Sequence, residues 1–274
     1  MIPHMPFLDG ETATLIATGR GDAIEMCRQS PDRDLAYYRY LNAGYALPLV
    51  GGTDKMTAQT PVGLFRTYVK LLDGDDFTFE NWCRGLRAGR TVLTSGPLLD
   101  LTVDGSEIGD TVHVDGAGQC LSVRATARSL FPFGWLELIQ DGQVVASVAA
   151  DPDGATTVLE ASIEVHKDSW VAARCLDSTD AALRHHDEWR RHVFAHTSPV
   201  YLTLTDRWSV SDPVALQHML WLIEGGLGHV REVAAAYPDG EVVHHHGEGD
   251  HQAFLERPFL EALSLVRDRL YGGT

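Results

Sequence analysis

The apolar pattern of this chain changes twice, and each change restricts what the chain can fold into. Residues 1–98 alternate short apolar runs with helical spacing, residues 99–205 alternate apolar and polar side chains, and residues 206–274 return to helical spacing. A period of two places alternate side chains on the two faces of a strand, whereas a period near 3.6 places them on one face of a helix. The sequence therefore predicts an α+β fold of three segments, with boundaries near residues 98 and 205.

The middle segment, 99–205, has the pattern of an antiparallel β-sandwich. Alternating runs lead into Asp104-Gly105 and Asp141-Gly142, and Asp-Gly between two such runs is a strong hairpin signal. Six or more short strands with turns of this kind indicate a sandwich. The charged stretch 177–191, between two of the strands, is expected to be an exposed loop.

The flanking segments contain the helices. In the first segment, Leu47–Val50 and Thr91–Thr94 predict buried strands, and Thr78 is expected to cap a helix that runs through Ala88. This alternation of helix and strand suits part of a barrel or a layered α/β domain. The helix after Thr78 is expected to bury four side chains: Phe79, Trp82, Cys83 and Leu86. The last segment predicts a pair of helices.

Composition excludes several classes of partner. The net charge of −16 and the pI near 5.1 argue against nucleic acid, which needs a basic footprint, and against anionic membranes. No apolar run approaches the ~20 residues that span a bilayer, and the first residues do not resemble a signal peptide. Four widely spaced cysteines are expected to be buried free thiols in a reducing compartment. These features favour a cytoplasmic protein.

One loop carries the most specific chemical signal. The run Leu47–Val50 opens into Gly51-Gly52 and delivers Asp54 to the following loop. Buried parallel strands of α/β barrels present carboxylates in this way at their C-terminal ends, and the glycines let a ligand or metal approach closely. Taken alone, the motif favours the simpler role of a residue that caps a turn.

Two further motifs follow this loop. Together with residues 42–69, Gly85–Leu99 (GLRAGRTVLTSGPLL) and Ala195–Tyr201 (AHTSPVY) resemble the CehA/McbA-type metallohydrolases of the PHP (polymerase and histidinol phosphatase) superfamily. The resemblance extends from about His4 to about Tyr201 and more loosely through the helical tail. It implies that residues 1–98 are the C-terminal part of a PHP-type α/β barrel. It also implies hydrolysis of an ester or phosphoester bond with a divalent metal, Mn, Zn or Fe, held by His and carboxylate ligands.

The resemblance assigns metal-site roles to three residues. Asp54 matches the Asp of the family's last Asp-x-His ligand motif. Met56 occupies the His position of that motif, where a thioether is a poor ligand for these metals, and is expected simply to pack. His4 matches a late His of the family and is a candidate metal ligand, with a structural or exposed histidine as the alternative. Glu25 matches a strand-end Glu and is expected to support the site by hydrogen bonding rather than by ligation.

Lys55 and Arg66 are the candidate catalytic cations. They lie near Asp54 in sequence and suit an anionic group or transition-state charge. Each is alternatively a solvated or ion-paired side chain, Lys55 more so than Arg66. His196, within the third motif, is expected to be structural, with a ring nitrogen that ties the loop to the strand.

The chain departs from the family at its start. Family members begin with a His-x-His pair, and no such pair precedes Asp54, so the chain is expected to be the C-terminal part of a longer protein. Asp54 and His4 supply two ligands, whereas a catalytic zinc-type site keeps three. A barrel that lacks early strands has an open apolar face. Leu15-Ile16, Leu47–Leu49 and Val92-Leu93 are therefore expected to be buried on one side only, or to be covered by the C-terminal helices.

Two functions remain open on these observations. The ordered motifs favour a metal-dependent hydrolase of the PHP superfamily. The missing His-x-His pair and Met56 favour a catalytically silent binding or assembly module built on the β-sandwich.

Overall fold

The computed structural model describes residues 1–3, 10–27, 31–151, 155–177, 190–233 and 246–272. The helices in these ranges are α1 (Gly10–Ala17), α2 (Pro31–Asn42), α3 (Phe79–Arg87), α4 (Pro213–Val233) and α5 (His251–Tyr271). None of these helices is long and apolar enough to cross a membrane. Together with the strands described next, they confirm the predicted α+β class.

The strands of the described residues form three sheets. In chain order they are β1 (Ile24–Glu25), β2 (Leu49–Val50), β3 (Arg66–Val69), β4 (Thr91–Thr94), β5 (Leu98–Val103), β6 (Ser106–Glu107), β7 (Thr111–His113), β8 (Gln119–Arg128), β9 (Trp135–Gln140), β10 (Gln143–Ala149), β11 (Thr156–Val165), β12 (Ser169–Leu176), β13 (Ala195–Thr197) and β14 (Val200–Thr203). The pair β1–β2 is parallel. A four-stranded sheet has the order β11-β8-β5-β6, and an eight-stranded sheet has the order β10-β9-β12-β13-β4-β3 with β14 and β7 beside β12.

The eight-stranded sheet crosses the predicted boundary at residue 98. β3 and β4 come before the boundary, yet β4 pairs with β13, in the register Ala195 to Thr94, and β3 pairs with β4. All four residues of β4 are buried. A short strand buried on both faces has the same sequence pattern in a barrel and in the centre of a larger sheet.

The two larger sheets share one apolar cluster. β5, β8 and β11 alternate buried and exposed side chains, and their buried residues pack with those of the eight-stranded sheet. Both predicted Asp-Gly hairpins are confirmed: Asp104 and Asp141 have φ of 47° and 51°, and the glycine after each also has a positive φ. Consecutive positive φ angles are those of the tight hairpin turn that favours Asp-Gly.

A second apolar cluster lies under the helices. It joins Ile16 of α1 and Leu49 of β2 to Met219 of α4 and Val266 of α5, and all four side chains are buried. Leu47 and Leu93 belong to the same cluster. The C-terminal helices pack on α1, and α4 also packs on α2, so Ile16 lies in the part of the first segment that they cover. Val92 belongs instead to the cluster between the two larger sheets, so the expected covering by the C-terminal helices applies to only part of the predicted set.

Helix α3 is correctly predicted in position but not in burial. The Thr78 side chain accepts a hydrogen bond from Asn81 N, as expected of an N-cap. Leu86 is buried, but Phe79 is 75% exposed and Trp82 and Cys83 are only half-buried. The helix approaches β3 closely at Gly85, where an added Cβ would lie 2.7 Å from Val69 Cγ1. Because this contact lies in the second half of the helix, the first turn, which carries Phe79, remains in solvent.

The cysteines are free thiols, as predicted. Cys27 and Cys175 are buried, as expected, whereas Cys83 is half-buried and Cys120 is exposed. Cys120 occupies an outward position of β8, because it follows the alternation of that strand.

We expect Met219→Ala to lower the free energy of unfolding by about 3 kcal/mol, because it removes a fully buried side chain and leaves a cavity under α4. Urea denaturation measures the change. Val214→Ala, at a 76% exposed position of the same helix, is the control and should change stability by less than about 0.5 kcal/mol. Equal losses in the two variants would show that α4 does not cover the second cluster.

Candidate functional site

The parallel pair β1–β2 brings two carboxylates to one edge. Glu25 is paired in register with Val50, and Asp54 lies in the loop that follows β2. The C-terminal ends of parallel strands lie at the same edge, so Glu25 and this loop are neighbours. A Cβ on Gly52 would lie 3.0 Å from Glu25 Oε1, which shows that the Glu25 carboxylate packs directly against the Gly52 backbone.

The loop that carries Asp54 is tied to the start of β3. Thr67 Oγ1 donates to Gly51 O (2.9 Å) and accepts from Gly51 N (2.8 Å). Thr53 Oγ1 makes the same kind of double contact with Phe65, donating to its carbonyl oxygen at 3.0 Å. Asp54 follows in the left-handed region, with φ of 50°. The loop therefore presents the Asp54 carboxylate from a backbone that is held on either side of Gly52.

Arg191 joins the ends of the two strands. Its side chain is buried, and Nη1 donates to Cys27 O (3.0 Å) and to Thr53 O (2.6 Å). Its Cζ lies 5.1 Å from the centre of the Phe65 ring. The stretch 177–191 was predicted to be an exposed loop. Residues 178–189 lie outside the described residues, but the prediction is wrong for Arg191, because its side chain is buried and Nη1 donates to two backbone carbonyls.

A second arginine and a thiol complete this edge. Arg33 Nη1 lies 3.9 Å from Cys27 Sγ. Burial raises the pKa of the Cys27 thiol, and the negative charges of Glu25 and Asp54 raise it further, against the opposing effect of Arg33 and Arg191. The thiol therefore stays protonated at neutral pH and is not a nucleophile there. We call these five residues, Glu25, Cys27, Arg33, Asp54 and Arg191, the carboxylate edge.

The two cations predicted from the sequence are placed elsewhere. Lys55 is exposed, and its Nζ donates to Thr57 O (2.6 Å) and Thr60 O (2.7 Å), so it closes its own loop. Arg66 lies between Phe65, whose ring packs against Arg191, and Thr67, whose hydroxyl bonds Gly51. Because side chains alternate along a strand, the Arg66 side chain lies on the opposite face of β3. The catalytic roles of Lys55 and Arg66 stay predictions that these contacts do not favour.

The cations that the fold does bring to this edge, Arg33 and Arg191, were missed. Arg33 belongs to α2, and Arg191 comes shortly before β13. Neither lies in a motif shared with Asp54, because each reaches the edge through tertiary packing. The sequence signal for Arg33 was indirect, because its helix α2 follows β1. Arg191 lies far along the chain from both β1 and β2, and no sequence pattern links it to them.

The donors of the carboxylate edge do not complete a metal site on their own. Glu25 and Asp54 offer carboxylate oxygens, but no group of three or more His, Cys, Asp or Glu in the described residues is arranged to hold a metal ion. His4, the second predicted ligand, lies outside the described residues. Met56 is 72% exposed, so the expectation that it packs is wrong.

A buried polar network lies behind this edge. His196 Nδ1 donates to Thr197 O (2.6 Å), so Nε2 accepts the hydroxyl of Tyr38 at 2.9 Å. Arg174 donates to Tyr38 Oη (3.2 Å) and to Asp34 (2.9 Å). Burial, together with the charge of Arg174, lowers the pKa of His196 to about 3, against the opposing effect of the Thr197 carbonyl. His196 is therefore a neutral residue that ties β13 to α2, in agreement with its predicted structural role.

The chain was compared with known proteins. No protein-family model matches it, and no curated protein matches it at a significant level. The function proposed below therefore depends on the motifs and on the geometry of the carboxylate edge.

We expect Arg191→Ala to lower the free energy of unfolding by about 3 kcal/mol, because it leaves the buried Cys27 carbonyl and the partly buried Thr53 carbonyl without this donor. Arg207→Ala, at an exposed position, is the control and should stay within about 0.5 kcal/mol of the parent. Chemical denaturation measures both. A loss no larger in Arg191→Ala than in Arg207→Ala would contradict the bridging role.

Stability should fall below pH 6.5 because of His196. In the unfolded chain His196 is protonated below about pH 6.5, whereas in the folded chain it is protonated only below about pH 3. The stabilisation from neutral His196 is therefore fully present above pH 6.5 and is lost as the pH falls below that value. One pH unit corresponds to about 1.4 kcal/mol. When the pH is lowered from 7.5 to 5.5, the free energy of unfolding of the parent should fall by about 1 kcal/mol more than that of His196→Asn, as measured by urea denaturation. His166→Asn, at an exposed histidine, should lose as much as the parent. Parallel losses in parent and His196→Asn would refute the assignment.

Proposed function

We propose that the chain is part of a metal-dependent hydrolase of the PHP superfamily, of the CehA/McbA type, that cleaves an ester or phosphoester bond of a small molecule. The observation that carries the proposal is the carboxylate edge: two parallel strands end together, and Glu25 and the Asp54 loop meet there. In this proposal the first segment corresponds to the C-terminal part of a PHP-type barrel, and the two larger sheets correspond to a β-sandwich.

Asp54 is the proposed metal ligand within the described residues, with His4 as the second and Glu25 in support. Carboxylate oxygens suit the harder divalent cations such as Mn and Fe, and Zn also accepts them. A divalent metal would supply Lewis acidity and activate water. Because Glu25 and Asp54 alone fall short of three ligands, we assign no catalytic step to the metal.

We assign the binding of the substrate's anionic part to the arginines of the carboxylate edge rather than to Lys55 and Arg66. Arg33 and Arg191 place positive charge near Cys27, between the segments that carry Glu25 and Asp54. Positive charge fixed in position stabilises negative charge that develops in a transition state. Arg191 already donates to two carbonyls, so we assign it to positioning and assign Arg33 to the substrate anion.

The proposal is tested by assaying the chain, with Mn, Zn or Fe added, against aryl esters and aryl phosphoesters. We expect turnover that depends on the metal and that falls by more than about tenfold in Asp54→Asn, since loss of even an outer partner of a metal ligand costs that much. Asp104→Asn is a matched control, because Asp104 has a φ of 47° close to the 50° of Asp54, and Asn tolerates this conformation. Equal turnover and metal content in the two variants would remove Asp54 from the site.

The alternative function is a catalytically silent binding or assembly module built on the β-sandwich. It is favoured by the shortage of metal donors among the described residues and by the two arginines, which already offset the two carboxylates. The same assays separate the two functions. Metal-dependent turnover by the chain would exclude the silent module, and no turnover with any of the three metals would support it.

A further inference from the structure

A pocket of about 360 Å³ opens beside the edge strand of the eight-stranded sheet. β3 is the last strand of that sheet, and the pocket lies between β3 and the adjoining ends of β5, β8 and β11. The lining side chains that matter here are Arg66, Tyr68, Leu98, Arg128 and Phe131. The volume is within the range of ordinary small-molecule sites, roughly 300–1,000 Å³.

This pocket is separate from the carboxylate edge. The Phe65 ring packs against Arg191 and the Thr67 hydroxyl bonds Gly51, both on one face of β3. Arg66 and Tyr68 alternate with Phe65 and Thr67 and line the pocket on the other face. A ligand in the pocket would therefore be separated from Asp54 by the strand.

The charge of the pocket is opposite to that of the chain. The chain carries a net charge of −16, yet the pocket has two arginines, and no described residue that lines it is acidic. Arg66 Nη1 donates to Gly63 O (2.8 Å), while its buried Nε has no hydrogen-bond partner in the described part of the chain. Arg128 pairs with Asp100 at 3.0 Å, but both side chains are well exposed, so the pair is weak and exchangeable. Both guanidinium groups retain N–H donors for an anion.

The apolar wall of the pocket is preformed. Ser129 Oγ accepts from Phe131 N (3.0 Å) and donates to Phe131 O (2.6 Å), which fixes the backbone at Phe131. A Cβ on Gly96 would lie 3.0 Å from Phe131 Cδ2, so the ring packs against this glycine. Phe131 and Tyr68 nevertheless keep 49% and 47% of their surface exposed. Two half-exposed aromatic rings therefore stand beside two arginines.

We propose that this pocket binds a small aromatic anion, such as an aryl carboxylate or an aryl phosphonate. The charged group contacts Arg66 and Arg128, because guanidinium groups match the planar oxygens of carboxylates and phosphoryl groups. The aromatic ring of the ligand packs on Tyr68 and Phe131. The site does not depend on the proposed hydrolase function.

Isothermal titration of the full chain with phenylphosphonate, in the presence of EDTA, tests the proposal. The C–P bond resists hydrolysis and EDTA removes divalent metal, so binding is measured apart from catalysis. We expect saturable one-to-one binding, with benzyl alcohol and inorganic phosphate each at least about tenfold weaker, since each lacks one of the two recognised parts. No saturable binding overturns the proposal, and equal binding of inorganic phosphate overturns its aromatic part.

Two arginines of β8 provide a matched pair of variants. Arg128→Gln should weaken phenylphosphonate binding by about tenfold, the loss of one charge-assisted hydrogen bond. Arg124→Gln, four residues earlier on the same exposed side of β8 and also paired with an acid, should leave it within about twofold. Asp54→Asn should have no effect. Equal weakening by Arg124→Gln and Arg128→Gln, or loss of binding in Asp54→Asn, would overturn the assignment.

Discussion

The carboxylate edge depends on the buried guanidinium of Arg191. β1 and β2 have only two residues each, and a ladder this short does not define where the following segments go. Arg191 bonds the carbonyls of Cys27 and Thr53, which come just after β1 and just after β2. A charged donor makes stronger hydrogen bonds than a neutral one, so Nη1 holds both carbonyls firmly in place. The position of Asp54 relative to Glu25 follows from this contact.

The helical tail also contributes to this edge. α4 and α5 pack on α1, and α4 also packs on α2. These helices share one apolar cluster with Ile24 of β1 and Leu49 of β2, the strands that end at Glu25 and near Asp54. Sequence reasoning placed the tail in a segment of its own. The packing joins it to the first segment, because apolar runs that face no barrel strand must be covered by another element.

Local signals predicted the elements of this fold better than their partners. The Asp-Gly hairpins and the Thr78 cap each depend on a few neighbouring residues, and each was predictable. The support role of Glu25 came only from the family resemblance, because its place beside the Asp54 loop depends on the pairing of β1 with β2. Arg33 and Arg191 reach the carboxylate edge by tertiary packing, which leaves no mark at fixed spacing. The partner of β4 was equally unpredictable, because the sequence Thr91–Thr94 fits a barrel strand as well as it fits a strand paired with β13.

Arg66 shows how strand alternation decides what a residue can do. It lies one residue from Phe65 and one from Thr67, and both of these residues hold the Asp54 loop. Nearness in sequence therefore suggested a role beside Asp54. In a strand, however, a one-residue step moves a side chain to the other face of the sheet. Arg66 therefore lines the pocket on the other face together with Arg128. Asp100 offsets the charge of Arg128 only weakly, because both side chains of that pair are exposed. An anion is the ligand that these two arginines favour.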